Sequence, residues 1–248
     1  MERINIDISG IPAILWGSRS EACFIYVHGK MGCKEYAESF ARIAAEKGYQ
    51  TLSFDLPEHG ERKNSPERCD VRNGIRDLNV IADYVFERWQ RVSLYACSLG
   101  AYFSLNAFAE RERSFEKCLF QSPIVDMEWL VRSMMKWAGV TEEQLEREKE
   151  IFTPTDTLRW DYYRYILSHP QGEWKHPTSI LYAALDDLQP ETSVRAFAEK
   201  NGCSLTVSAD SRHPFMEPGD IPIVEGWLAE NIAYIPESKK VQPLTSLS

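Results

Sequence analysis

The sequence predicts an α/β fold with a mostly parallel central sheet and helices on both of its faces. Short apolar runs of strand length alternate along the chain with segments whose apolar residues recur at helical spacing. Some runs are apolar throughout, such as ACFIYV at 22–27, which is typical of strands covered on both faces. Strands that alternate with helices form parallel sheets, because each helix carries the chain back to the same edge.

The chain starts with a predicted hairpin. Ile4, Ile6 and Ile8 alternate with polar residues, which indicates a strand with one buried face. A turn at 10–12, with Gly and Pro, leads to a second apolar run at 13–16. We therefore expect an antiparallel pair at the start of the sheet.

The remaining elements repeat one pattern, a strand followed by a helix. Further strands are predicted at 22–27, 51–55, 92–96, 118–123, 179–185 and 204–208. Helices are predicted from apolar stripes at 36–44, 75–89, 194–201 and 221–233, and from Gly100 onward. The uncharged stretch 92–109 is long enough for a marginal membrane span, but its three serines favour a buried strand that turns sharply into a helix.

Residues 124–175 interrupt this alternation, and we expect them to form a helical lid inserted into a core formed by 1–123 and 176–235. The tail 236–248 has no apolar periodicity and is predicted to be a surface extension. The chain is thus read as one core with one insertion and one extension.

The predicted insertion is rich in aromatic residues, since it holds four of the seven tryptophans of the chain. These side chains either build a small core of their own or face a binding pocket, and we expect both. Trp129, Trp137 and Trp160 are therefore candidate substrate contacts.

The composition excludes some partners. The chain has 28 Lys and Arg against 37 Asp and Glu, a net charge of −9, which argues against nucleic acid as a partner. Its six cysteines lack a CxxC pair, and no histidines have zinc-ligand spacing, so we expect reduced thiols and no metal or organic cofactor. The first twenty residues lack a signal-peptide core, so a cytoplasmic protein without integral membrane association is expected. Its oligomeric state is left open.

One motif stands where the strand 92–96 meets the following helix. It reads Ala96-Cys97-Ser98-Leu99-Gly100. A serine is a poor nucleophile unless it is exposed, oriented and deprotonated by a base. A tight turn between strand and helix exposes and orients the hydroxyl, and it requires small residues two positions before and after the serine. Cys97 is expected to point into the fold.

With this motif the chain resembles the α/β-hydrolases over nearly its whole length, apart from the insertion and the tail. The usual G-x-S-x-G of that family stands here as A-C-S-L-G, a departure at Ala96. The resemblance implies an α/β-hydrolase fold, with Ser98 as nucleophile and an acid and a histidine after later strands. His213 is the one histidine of five that lies beyond the candidate acid.

For the acid, the resemblance favours Asp186, which lies four residues before Pro190. Asp187 is the neighbouring alternative. Asp126 is a further alternative, because some relatives carry the acid one strand earlier, although a helix-capping role fits it better.

The resemblance also implies an oxyanion hole made by the backbone N–H groups of Leu99 and Lys30. The side chain of Lys30 then either meets solvent or reaches an anionic substrate. Met31 and His59 are candidate substrate contacts near this loop. Arg62 and Arg212 are weaker candidates for binding an anion, and Arg212 also replaces the small residue usual before the histidine.

The function implied is a serine hydrolase that cleaves a small-molecule carboxylic ester or thioester with an apolar or aromatic group. A peptidase uses the same residues. Two alternatives are kept: a non-hydrolytic acyltransferase, in which water is excluded from the acyl-enzyme, and a ligand-binding homologue without turnover.

Overall fold

A computed structural model describes residues 1–154 and 156–235, so the predicted extension 236–248 lies outside the described residues. The strands are β1 (Arg3–Ile8), β2 (Ile11–Trp16), β3 (Ala22–Val27), β4 (Gln50–Phe54), β5 (Arg91–Cys97), β6 (Cys118–Gln121), β7 (Glu150–Phe152), β8 (Thr157–Arg159), β9 (Thr178–Ala183) and β10 (Ser204–Ser208). The α-helices are α1 (Glu38–Glu46), α2 (Val71–Arg88), α3 (Leu99–Phe108), α4 (Met127–Ala138), α5 (Glu142–Glu148), α6 (Trp160–Ser168), α7 (Glu191–Asn201) and α8 (Ile221–Asn231).

Eight strands form the central sheet in the order β1-β2-β4-β3-β5-β6-β9-β10. β1 and β2 form the expected antiparallel hairpin, β2 is antiparallel to β4, and every later pairing in this sheet is parallel. The predicted fold class is confirmed. In a parallel sheet the carboxyl ends of the strands lie at one edge, which is where the loops of an α/β protein form sites.

Both faces of the sheet are buried. The fully buried strand β3 alternates between two apolar clusters, with Ile25 in the cluster that includes α2 and α3, and Phe24 in the cluster that includes α1 and α8. This explains why β3 is apolar at every position and shows no period of two.

Between β6 and β9 lie α4, α5, α6 and the strands β7 and β8, which pair antiparallel. The expectation of a wholly helical segment is therefore wrong at 150–152 and 157–159. Each of the two strands has three residues, too few for an alternating pattern to be visible in the sequence. The buried side chains Leu145, Leu158 and Tyr163 of this segment join the cluster on the α2 and α3 face, so its core is continuous with that of the sheet.

The uncharged stretch folds as a strand and a helix, β5 and α3, as expected. Within the part of the chain that the structure describes, no helix has both the length and the apolar content that crossing a membrane requires.

Candidate active site

Ser98 occupies the sharp turn between β5 and α3. Its backbone has φ 51° and ψ −118°, a region that residues other than glycine rarely adopt. Such a conformation costs on the order of 1–3 kcal/mol and persists only where the surroundings enforce it. It turns the chain at the carboxyl edge of the sheet directly into the first turn of α3.

Close packing explains the small residues around Ser98. A Cβ at Gly100 would lie 2.5 Å from the carbonyl oxygen of His28 and 2.9 Å from that of Val27, so any larger residue would displace β3 or the helix. Ala96, on the other side, is fully buried between β3 and β6. The sequence expectation that both positions must be small agrees with this geometry.

A chain of hydrogen bonds links the ends of three strands. Ser98 Oγ lies 2.8 Å from His213 Nε2, and His213 Nδ1 lies 2.8 Å from Asp186 Oδ2. The carboxylate can only accept, so the imidazole proton is on Nδ1 and the lone pair of Nε2 faces the serine hydroxyl. In this arrangement the imidazole is positioned to take the hydroxyl proton.

Asp186 is held from two sides, and its side chain is fully buried. Its Oδ1 accepts hydrogen bonds from the backbone N–H groups of Leu188 at 2.8 Å and Gln189 at 3.2 Å, which leaves Oδ2 for His213. The alternatives lie elsewhere. Asp187 is exposed, and Asp126 caps α4 by accepting from the N–H of Trp129 at 2.9 Å.

The loop after β3 lies against the serine. A Cβ at Gly29 would be 3.1 Å from Ser98 Cβ, so the backbone of this loop lies directly beside the Ser98 side chain. Lys30 follows directly. Among the described residues, the backbone N–H groups of Lys30 and Leu99 have no hydrogen-bond acceptor. Both are therefore free to donate to a ligand at the serine.

Comparison with known proteins gives the family. The model of the family described as "Serine aminopeptidase, S33" matches residues 18–155, more than half of the chain. The chain belongs to this family of α/β-hydrolases. Proteins with curated descriptions give no match to it.

Solved structures similar to this α/β-hydrolase share its fold at low sequence identity. Est1E from Butyrivibrio proteoclasticus, solved with ferulic acid bound, has a TM-score of 0.75 and 18% identity over 92% of this chain and 96% of that chain. The mouse α/β-hydrolase domain-containing protein 10 has a TM-score of 0.71 and 16% identity over 93% and 98%. A monoacylglycerol lipase from Paleococcus ferrophilus has a TM-score of 0.64 and 16% identity over 93% and 100%.

The side chain of Lys30 in this hydrolase has a partner that the sequence did not reveal. Its ammonium forms an ion pair with Asp156, which lies just before β8 in the segment between β6 and β9. The expectation that the ammonium meets only solvent or an anionic substrate is thus corrected. The pair joins the loop beside Ser98 to the segment between β6 and β9.

His59 and Met31, which are both expected to contact substrate, have different surroundings. His59 is buried, and both of its ring nitrogens are occupied: Nδ1 lies 2.8 Å from the carbonyl oxygen of Pro57, and Nε2 accepts from the N–H of Met31 at 2.9 Å. Its ring therefore has an internal role in this structure. The Met31 side chain is 85% exposed and stays a candidate contact.

The three tryptophans of the insertion have different surroundings. Trp129 is half-buried on α4, and Trp137, on the same helix, is more than half exposed. Trp160 is half-buried at the start of α6, and Lys149 and Arg164 lie over its ring at 5.8 Å and 5.7 Å. Their contact with substrate stays a prediction.

Arg62 and Cys97 face inward. The buried Arg62 guanidinium pairs with Asp77 and Glu67, which corrects the expectation that it is available to an anion. Cys97 is buried as expected, and burial raises the pKa of its thiol to about 12, so the thiol beside Ser98 is protonated. Arg212 is exposed.

Two buried glutamines position the site, and sequence reasoning missed both. Gln121, at the end of β6, accepts from the Tyr95 hydroxyl at 2.7 Å and donates to the carbonyl of Pro214 at 2.8 Å, next to His213. The Gln189 side chain accepts from the backbone N–H of Asp126 and donates to its carbonyl. A glutamine carries no periodic signal, so only the tertiary structure reveals such bonds.

Proposed function

We propose that this protein is a serine hydrolase that cleaves a carboxylic ester or thioester through an acyl-enzyme. The observation that carries the proposal is the hydrogen-bonded chain from Ser98 through His213 to Asp186 at 2.8 Å in each link. The strained turn at Ser98 supports it, because the surroundings hold the hydroxyl at the amino end of α3.

The first half-reaction forms the acyl-enzyme. Ser98 Oγ attacks the acyl carbon while its proton passes to His213 Nε2, and Asp186 stabilises the imidazolium. The carbonyl oxygen becomes an oxyanion, to which the N–H groups of Leu99 and Lys30 donate. The imidazolium then gives its proton to the leaving alcohol or thiol as the bond to the acyl carbon breaks.

The second half-reaction releases the acid. His213 Nε2 takes a proton from water, and the hydroxyl oxygen attacks the acyl-enzyme carbon. When the tetrahedral intermediate collapses, Ser98 recovers the proton from His213 and a carboxylic acid leaves. Each turnover consumes one ester and one water, and no other reactant is needed.

The acyl group is proposed to be apolar or aromatic. The segment between β6 and β9 brings Trp129 and Trp160 onto the apolar cluster of the α3 face. Two neighbours in structure, Est1E with ferulic acid bound and a monoacylglycerol lipase, have names that agree with an aromatic or apolar acyl group. The family description adds peptide amides as a second candidate bond.

Covalent labelling tests the proposal. Intact mass is measured after treatment with a fluorophosphonate probe, for wild type and Ser98→Ala, together with hydrolysis of p-nitrophenyl esters of increasing chain length and of amino-acid p-nitroanilides. We expect one adduct that is absent in Ser98→Ala, and ester turnover that falls by about 10⁴-fold or more in the variant. Preference for p-nitroanilides would move the assignment to peptidase.

Ser93→Ala is the matched control. Ser93 lies on β5, the strand that leads to Ser98. It is fully buried, and its hydroxyl has no hydrogen-bond partner among the described residues. It should keep both the adduct and the turnover. An adduct that persists in Ser98→Ala, or equal turnover in the two proteins, would contradict the proposed nucleophile.

A further inference from the structure

Two buried histidines connect the loop after β3 to the segment after β4. His28 Nε2 accepts from the N–H of Leu56 at 3.1 Å, and its Nδ1 lies 2.7 Å from the carbonyl oxygen of Gly29. His59 Nε2 accepts from the N–H of Met31 at 2.9 Å. The two rings lie 5.2 Å apart. Lys30 lies between Gly29 and Met31, the two residues of this loop that the histidines bond.

Each bond fixes one of the two peptide planes that flank Lys30. The carbonyl of Gly29 and the N–H of Lys30 belong to one planar trans peptide, so they point in opposite directions. His28 and the N–H of Gly32, at 3.1 Å, both donate to the Gly29 carbonyl. The Gly32 bond closes a turn in which Met31 is the third residue, so the direction of the Lys30 N–H depends on the conformation of Met31. The following plane carries the Met31 N–H, which His59 holds.

Met31 has a conformation that its own side chain cannot stabilise. Its φ is 63°, in the left-handed region that disfavours residues other than glycine. Its side chain is 85% exposed, so packing contributes little to holding it. The hydrogen bond to His59 is therefore a main restraint on this turn.

We propose that His59 is a positioning residue, which holds Met31 in the left-handed turn and so keeps the Lys30 N–H aimed at the oxyanion formed on Ser98. This inference rests on the proposed function, since it assigns the support of the oxyanion hole. This positioning role takes the place of the substrate contact that the sequence predicts for His59. The neutral ring donates from Nδ1 to Pro57 and accepts at Nε2, which leaves both nitrogens engaged.

The test compares two amides at one position. In His59→Gln the side-chain oxygen reaches the position of Nε2 and can accept from Met31. In His59→Asn the same group is one methylene shorter and stops near the position of Nδ1. Both variants lose the imidazole ring, so they differ mainly in the hydrogen bond to Met31.

Three measurements are made on the whole chain: kcat and KM on the best p-nitrophenyl ester, the affinity for a boronic acid that forms a charged tetrahedral adduct with serine, and amide hydrogen exchange of residues 29–32. We expect His59→Asn to lower kcat by about 10- to 100-fold at nearly constant KM, to weaken boronate binding by a similar factor and to speed exchange at Met31. Removing an oxyanion donor outright costs about 10²–10³-fold in kcat, so a displaced donor should cost less. His59→Gln should restore each value to within a few-fold of wild type.

The outcomes separate the two proposals. If wild type hydrolyses no ester and takes no probe, the proposed function fails, while the exchange difference between Asn and Gln still tests the restraint on Met31. Unchanged kcat and exchange in His59→Asn would overturn the positioning role. A raised KM at unchanged kcat in both variants would also overturn it and return His59 to substrate binding.

Discussion

The side-chain amide of Gln189 forms hydrogen bonds with both backbone groups of Asp126, its N–H and its carbonyl. Oε1 accepts from the Asp126 N–H at 2.8 Å, and Nε2 donates to the Asp126 carbonyl at 3.1 Å. Gln189 is fully buried and follows Asp186 by three residues, while Asp126 caps α4. The loop that carries the proposed acid is thus tied to the start of the insertion.

Replacing Gln189 with leucine should lower the free energy of unfolding. The change leaves the N–H groups of Val125 and Asp126 buried without an acceptor, since both donate to Oε1 at 2.8 Å. Unpaired buried groups cost about 1–3 kcal/mol each, so for these two we expect a loss of roughly 2–6 kcal/mol in the free energy of unfolding. Urea unfolding and the kcat of the folded variant measure this, with the exposed Gln90→Leu as control. Equal urea midpoints for Gln189→Leu and Gln90→Leu would show that the Gln189 amide does not stabilise the fold.

Exchanging the carboxylate of Asp186 for an amide should stop catalysis without unfolding the protein. In Asp186→Asn, the oxygen can still accept from Leu188 and Gln189, so the NH₂ group faces His213. The imidazole must then accept at Nδ1 and carry its proton on Nε2, where it cannot act as base toward Ser98. We expect kcat to fall by about 10⁴-fold.

The neighbouring acid gives the matched control for this change. Asp187 is exposed, and Asp187→Asn should keep kcat within about 2-fold of wild type, since surface changes of this kind have small effects. Ester hydrolysis at saturating substrate measures both variants. The reverse ranking would show that Asp187 is the acid.

The ion pair between Lys30 and Asp156 should matter little for stability. Both side chains are partly exposed, and exposed pairs contribute about 0.2–1 kcal/mol. Because the proposed hole uses the backbone of residue 30, Lys30→Met and Asp156→Asn should keep kcat on a neutral ester within about 3-fold. Thermal unfolding and ester kinetics check both statements. A large loss of kcat in Lys30→Met alone would give the ammonium a catalytic role.

Acid should destabilise the protein through His28. Burial lowers the pKa of this imidazole from 6.5 to about 4. As pH falls from about 6.5 to about 4, the unfolded chain binds a proton that the folded chain does not, so the free energy of unfolding falls with pH. The loss amounts to roughly 3 kcal/mol, and it is absent above pH 6.5.

A variant that cannot titrate isolates this contribution. Between pH 7 and pH 4.5, wild type should lose about 2–3 kcal/mol more than His28→Gln, whose amide carries no charge at either pH. Urea unfolding at the two pH values gives the difference. His169→Gln, at an exposed site, should follow wild type. Parallel losses in wild type and His28→Gln would show that His28 is not the group that responds.

Much of the fold was predictable because the strands carry their own signal. The runs 22–27 and 204–208 match β3 and β10 residue for residue, and the turn at Ser98 follows from small residues between a strand and a helix. These features are local, so the sequence displays them directly. The resemblance to a known family then supplied the order of Ser98, Asp186 and His213.

What the sequence could not predict depends on contacts between distant segments. Arg62 stands in a polar loop and looks exposed, yet its partner Asp77 lies fifteen residues away on α2 and the pair is buried. His59 looks free for substrate until Met31 is found beside its ring. Charge and hydrogen-bonding capacity are visible in a sequence, but the partner that uses them is not.

The contact between Gly100 and the His28 carbonyl also bears on how this site can be redesigned. With a Cβ at position 100 placed only 2.5 Å from that oxygen, the serine turn and the loop after β3 meet backbone to backbone. Neither segment can be grafted into another scaffold without the other. A redesign of this site would therefore have to transfer the two segments together.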